Sequence, residues 1–206
     1  MTGVHPTPGP IRLLLALALL LTTGCAEAER LATGAIDDFS TSRQTDYETS
    51  QGQRLSFPLA ARAFADRAVS YDNNGAGIAD DNDNPSEALG PPTNGETYLS
   101  LGGGGTVVLE FTDNVLVDGP GDDLAVFEIG PQVEAATVAI SEDGRNYLTL
   151  GRIAGSTATL DIAGRGRAGA AYRFVRITDD IAQGDRSGLT AGADIDAVGT
   201  LNGRAR

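Results

Sequence analysis

The sequence predicts an all-β fold, an antiparallel β-sandwich of jelly-roll type. Three observations point to it. Beyond Phe57 the apolar residues come in short runs of about five to eight, rich in β-branched and aromatic types and bounded by Gly, Pro, Asn and Asp. No run keeps a helical apolar period for three turns. Roughly ten such runs, closely spaced by turn formers, are the pattern of two packed antiparallel sheets. A domain of this size buries about two-thirds of its surface and needs no disulfide; the single cysteine of the chain supplies none.

In chain order, the first element is not part of the fold. Leu13 to Leu21 is an unbroken apolar run behind Arg12, too short for the roughly 20 residues of a membrane-spanning helix. Its basic start, apolar middle and small-residue end have the layout of a secretory signal over residues 1–24. Leu21-Thr22-Thr23-Gly24-Cys25 resembles the lipobox of bacterial lipoproteins, with Thr22 where that family usually has Leu. The resemblance implies cleavage before Cys25 and acylation of its sulfur and new amino terminus. Two or more acyl chains anchor a protein stably where a single one does not. The other reading is an ordinary cleaved signal followed by a free thiol. Ala26, rather than Asp, after the cysteine favours the outer membrane as the location of an exported, anchored chain. Residues 25–56 are polar and without period, and are read as a flexible tether.

The domain proper is read as 57–206. Its candidate strands are RAVSYD, TYLSLG, GTVVLEFTD, NVLVDG, DLAVFEIG, VEAATVAIS, NYLTLGR, ATLDIAG, AYRFVRITD and ADIDAVGTL. Asp143-Gly144 in SEDGRNY lies between two of them, where glycine permits the positive φ of a tight hairpin. Gly102 to Gly105 also separate strands. A strand follows them rather than a helix, and the chain has no lysine, so a hairpin or bulge is read there rather than a phosphate cradle.

The series SYD, EALGPPT, SLGGGGTVVLEFTDN, VDGPGDDLAVFEIG, AISEDGRNY, RFVRITD and GADIDAVG resembles a bacterial cell-surface domain of the galactose-binding-like jelly-roll class, of the kind also found attached to OmpA-family proteins. SEDGRNY resembles the hairpin of discoidin-type modules, with Tyr147 in the place usually held by Trp. The resemblance spans about Ala65 to Leu201 and implies a binding module of that fold.

Composition narrows the chemistry. The chain has 15 basic and 28 acidic side chains, a net charge of −13; loss of Arg12 with the signal takes it to −14. Such acidity repels nucleic acid, which is excluded as a partner. The only histidine, His5, lies in the signal. Without histidine, lysine or a free thiol, the mature chain cannot assemble a Ser-His-Asp or Cys-His unit, a Schiff base or a lysine-bearing phosphate loop. Oxygen ligands remain, and these suit calcium or a carboxylate-pair hydrolase.

The candidate ion ligands are Asp123, Glu128, Asp194 and Asp196. Alternation puts Glu128 on the face of Leu124 and Val126, and Asp194, Asp196 and Val198 on one face of the last strand. A buried Glu128 needs a cation, Arg173 or Arg176, or several donors. Two readings stay open: one calcium ion gathering these acids, or solvated turn acids with an Arg–carboxylate pair. Asp83, in an acidic loop that does not match an EF-hand, and the aromatic platforms Tyr98 and Tyr147 are the candidate ligand-binding residues. The expected function is a non-catalytic envelope lipoprotein that binds a surface glycan or an envelope protein. The alternatives are a glycan-processing hydrolase using Glu128 and Asp196, and a purely structural envelope lipoprotein.

Overall fold

The computed structural model describes residues 44–49, 51–129 and 134–206. The signal, Cys25 and the tether up to residue 43 lie outside the described residues. Among those described there is no α-helix, only two short 3-10 turns at Ala60–Ala63 and Pro85–Ala88.

Two antiparallel sheets face each other. The first has five strands in the order β3 (Arg67–Asp72), β5 (Thr106–Glu110), β11 (Phe174–Asp179), β8 (Ala135–Ser141) and β9 (Leu148–Ala154). The second has four: β10 (Ala158–Leu160), β7 (Leu124–Ile129), β12 (Asp194–Thr200) and β4 (Leu99–Ser100). The chain crosses repeatedly between the two sheets, as in a jelly roll. Alternate residues of both sheets meet between them: Val107 and Leu109, Val138 and Ile140, and Val175 and Ile177 from one side, Leu124, Val126, Ile195 and Val198 from the other. Each of the ten runs predicted as strands contains one.

Two smaller pairings complete the domain. β13 (Gly203–Ala205) pairs with β6 (Asn114–Leu116). β1 (Thr45–Glu48) and β2 (Arg54–Phe57) form a hairpin within the stretch read as tether, so the ordered domain begins earlier than residue 57. Its apolar residues Tyr47, Leu55 and Phe57 pack with Phe64, Ala125, Phe127 and Ala197 in a second core. Strand β7 is therefore buried on both faces, which is why LAVF reads as a continuous apolar run.

One feature of β12 overturns an expected face. Ile195 pairs with Glu128 and Ala197 with Phe127, leaving Asp196 as an extra residue in a β-bulge. The bulge breaks the alternation. Val198 turns into the main core, while Asp194 and Asp196 reach hydrogen-bond partners elsewhere.

The registers define two ends of the sandwich. Arg67, Glu110, Phe174 and Ser141 align at one end, beside the β8–β9 hairpin. Asp72, Thr106, Thr178 and Thr137 align at the other.

Candidate functional site

The β8–β9 hairpin is built by Asp143. Its Oδ1 accepts from the Arg145 and Asn146 amides, both at 2.9 Å, and Oδ2 accepts from the Asn146 side chain at 2.9 Å. These donors, the Asn146 amide foremost, hold the Asp143 carboxyl well below the usual carboxylate range. Gly144 follows at φ +71°, and a Cβ there would lie 3.3 Å from the Phe174 ring. The turn thus delivers Tyr147 to a fixed place, where the Arg176 guanidinium lies 4.3 Å from its ring centre.

Beside that ring opens a cavity of about 590 Å³, lined by Glu142, Asp143, Tyr147, Arg165, Arg167 and Tyr172 among others. Arg167 pairs with Glu142 at 3.0 Å across it. An aromatic wall with a few charged and amide groups around it is the chemistry of a site for a polyhydroxylated ligand. Of the three predicted ligand residues, only Tyr147 lines this cavity.

Asp83 and Tyr98 belong to the opposite end. Asp83 accepts from Asn73, which directly follows β3, at 2.8 Å. In the same acidic stretch a second cavity, about 380 Å³, is walled by Asp80, Asp81, Asn82, Asn84, Glu87 and Glu96, and Asp83 does not line it. The half-buried Tyr98 ring lines neither cavity. The three residues therefore do not form one site.

The four predicted ion ligands also separate. Asp123 and Glu128 are about 16 Å apart along β7 at the usual strand rise, which excludes a shared ion. Asp123 is fully buried and accepts from the Gly119 and Ile162 amides at 2.8 Å and from the Asn202 side chain at 2.9 Å. It clamps the loop before β7 to the exit of β10 and the C-terminal turn. Together with exposed Asp118 and Asp161 it forms a group whose carboxylate oxygens lie within 4.8 Å of one another. Asp196, carried outward by the bulge, accepts from the Thr93 amide and hydroxyl and from the Asn94 amide at 2.8–3.1 Å. It fixes the loop ahead of β4.

Glu128 and Asp194 stay together at the far end. Glu128 lies on the core face with Leu124 and Val126, as alternation requires, and is 2% exposed. Neither expected arginine reaches it: Arg173, with Arg67, pairs with Glu110, and Arg176 lies on Tyr147. Burial pushes Glu128 up to about 8, with the charges of Glu134 and Asp194 adding to the rise. Glu134 is pushed up to about 7 by burial and by Asp194. Asp194 rises to about 7 through burial, partly offset by the Ser100 hydroxyl, which donates to it at 2.5 Å. Glu134 and Glu110 were not singled out in the sequence; a lone acid at either end of an apolar alternation was the available signal.

This arrangement does not suit the alternative of a hydrolase pair at Glu128 and Asp196. Two catalytic carboxyls must flank an open cleft about 5–10 Å apart. Glu128 is sealed in the core and Asp196 is saturated by loop donors.

No family model matches the chain, and no curated protein does. Among solved structures, the C-terminal domain of a chitobiase from Bacteroides fragilis is similar at 13% identity and a TM-score of 0.46, over 72% of this chain and 98% of that one. A CBM32 module produced by Clostridium perfringens is similar at 12% identity and a TM-score of 0.37, over 67% and 92%. The CBM32 of AlyQ, solved with 4,5-unsaturated mannuronic acid, is similar at 11% identity and a TM-score of 0.40, over 64% and 90%.

Proposed function

We propose that the chain is an exported, lipid-anchored binding module that holds a surface glycan at the Tyr147 cavity without transforming it. The observation that carries this reading is the braced aromatic: one face of Tyr147 rests on Arg176, and the ring forms part of the wall of a 590 Å³ opening. A sugar ring stacks its C–H face on such a platform while its hydroxyls meet Asn146, Glu142 and the arginines. The volume falls within the roughly 300–1,000 Å³ of small-ligand sites. Export and anchoring rest on the leader and on Cys25, with the outer membrane as the location. The lack of histidine, lysine and an unblocked thiol in the mature chain argues for retention rather than turnover.

A glycan array probed with the purified chain tests the ligand. The chain is expected to retain a defined set of glycans, and Tyr147→Ala to lose about tenfold or more of that binding, as removal of a stacking platform does, at an unchanged melting midpoint. Retention that survives the substitution would place the ligand elsewhere.

A further inference from the structure

The charge of this chain is unevenly placed. Residues 144–178 carry six arginines and a single acid, Asp161, a local balance of +5 within a chain of net −13. Four of the six arginines are committed. Arg152 pairs with Asp180 at 2.9 Å, Arg173 pairs with Glu110, Arg167 pairs with Glu142, and Arg176 lies against the Tyr147 ring. The side chains of Arg145 and Arg165 meet no acid within ion-pair distance among the described residues. Of these two, Arg165 lines the Tyr147 cavity.

The loop between β10 and β11 sets Arg165 there. Its amide donates to the Ile162 carbonyl at 2.9 Å, and Ile162 is fully buried with its own amide on Asp123. The next residue is Gly166, where a Cβ would lie 2.6 Å from the Tyr172 hydroxyl, and the Arg167 amide donates to that hydroxyl at 3.3 Å. Gly151 of β9 leaves room for the guanidinium: a Cβ there would lie 3.4 Å from Arg165 Nη1. The two acids of the cavity are already occupied. Both oxygens of Glu142 accept from Arg167 Nη2 at 3.0 Å, and Asp143 is held by the amides of its own turn. Three arginines, Arg165, Arg167 and Arg176, stand against these two acids around the ring, and the charge left uncompensated is that of Arg165.

We infer that the cavity selects a sugar bearing an oxyanion, the carboxylate of a uronic acid or a sulfate ester, which Arg165 takes while the sugar ring stacks on Tyr147. This rests on the reading of the cavity as a glycan site. A guanidinium presents paired donors that match two oxygens of one oxyanion, and such charge-assisted hydrogen bonds are about twice as strong as neutral ones. A neutral hexose offers Arg165 only hydroxyls. The acidity of the rest of the chain repels long polyanions, so the fit is to an isolated acid at a glycan end or branch rather than to a densely charged polymer.

The test is the binding of matched oligosaccharides that end in galactose, galacturonic acid or galactose 6-sulfate, and in glucose or glucuronic acid, at low and high salt. Wild type is expected to hold at least one acidic member about tenfold or more tighter than its neutral partner, with the margin narrowing as salt rises. The arm that binds tells carboxylate from sulfate. Arg165 is exposed, so Arg165→Gln is expected to bring the acidic member down to the level of the neutral one at an unchanged melting midpoint. Arg165→Lys should recover part of the margin, and Tyr147→Ala should weaken both members. Equal binding of neutral and acidic members by wild type, or a margin that survives Arg165→Gln, overturns the inference and leaves the glycan site standing when Tyr147→Ala still loses binding. Binding that Tyr147→Ala does not weaken, or no binding of any member, overturns the glycan reading and this inference with it.

Discussion

Asp143 shows how one carboxylate organises the candidate site. Its folded carboxyl titrates below the ordinary value of about 3.9 because the Asn146 and Arg145 amides and the Asn146 side chain stabilise the anion. A depressed acid adds stability that is fully present above its unfolded value and is lost as pH falls toward the folded one. Asp143→Ala should therefore lower the melting midpoint at neutral pH, with the difference from wild type shrinking as pH drops below about 4. Thermal melts across pH check this; a penalty independent of pH would contradict it. The Asp-Gly signal made this turn legible in sequence. The fate of Glu128 was half legible: alternation placed it on the core face, but nothing local revealed that Arg173 is held by Glu110, or that the charges of Glu134 and Asp194, from other chain segments, act on it.

Among the elements, the β1–β2 hairpin is the largest surprise and the most testable. Phe57 lies 4.7 Å from Phe64 and 6.0 Å from Phe127 between ring centres. Phe57→Ala removes a fully buried ring and should cost about 3–5 kcal/mol. Hydrogen exchange at Thr45–Glu48 should rise with it, since β1 has little else to hold it. Unchanged exchange there would contradict this packing. The same cluster leaves no room on its floor: a Cβ at Gly199 would come within 2.8 Å of both Phe57 and Phe64. Gly199→Ala should destabilise by about 1–3 kcal/mol through overpacking, measured by urea unfolding. These strands escaped the sequence because Tyr47, Leu55 and Phe57 are few, and their apolar partners are supplied from Phe64 and Phe127, distant in the chain. β13 carries no alternation and joins β6 through its backbone. The ten other strands were legible because each spends alternate residues in a common core. The bulge at Asp196 was not, since one unpaired residue leaves no mark in the hydrophobic pattern.

For the whole molecule, the two ends of the sandwich carry different chemistry: a braced tyrosine with mixed charges at one, and the buried acids Glu128, Glu134 and Asp194 at the other. The strongly acidic surface suits display in solution and disfavours adhesion to anionic polymers. Lipid anchoring through Cys25 predicts that Cys25→Ser moves the chain from the membrane to the soluble fraction, and that mass spectrometry of the wild type finds an acylated Cys25 peptide. An unmodified, soluble wild type would contradict it. The central claim is that the folded body works by retaining a glycan on Tyr147, and its most direct measurement is an isothermal titration of an array-selected glycan into wild type and Tyr147→Ala. Saturable binding by wild type, lost in a variant that still melts normally, is the predicted result; equal binding by both proteins, or a glycan recovered cleaved, would contradict it.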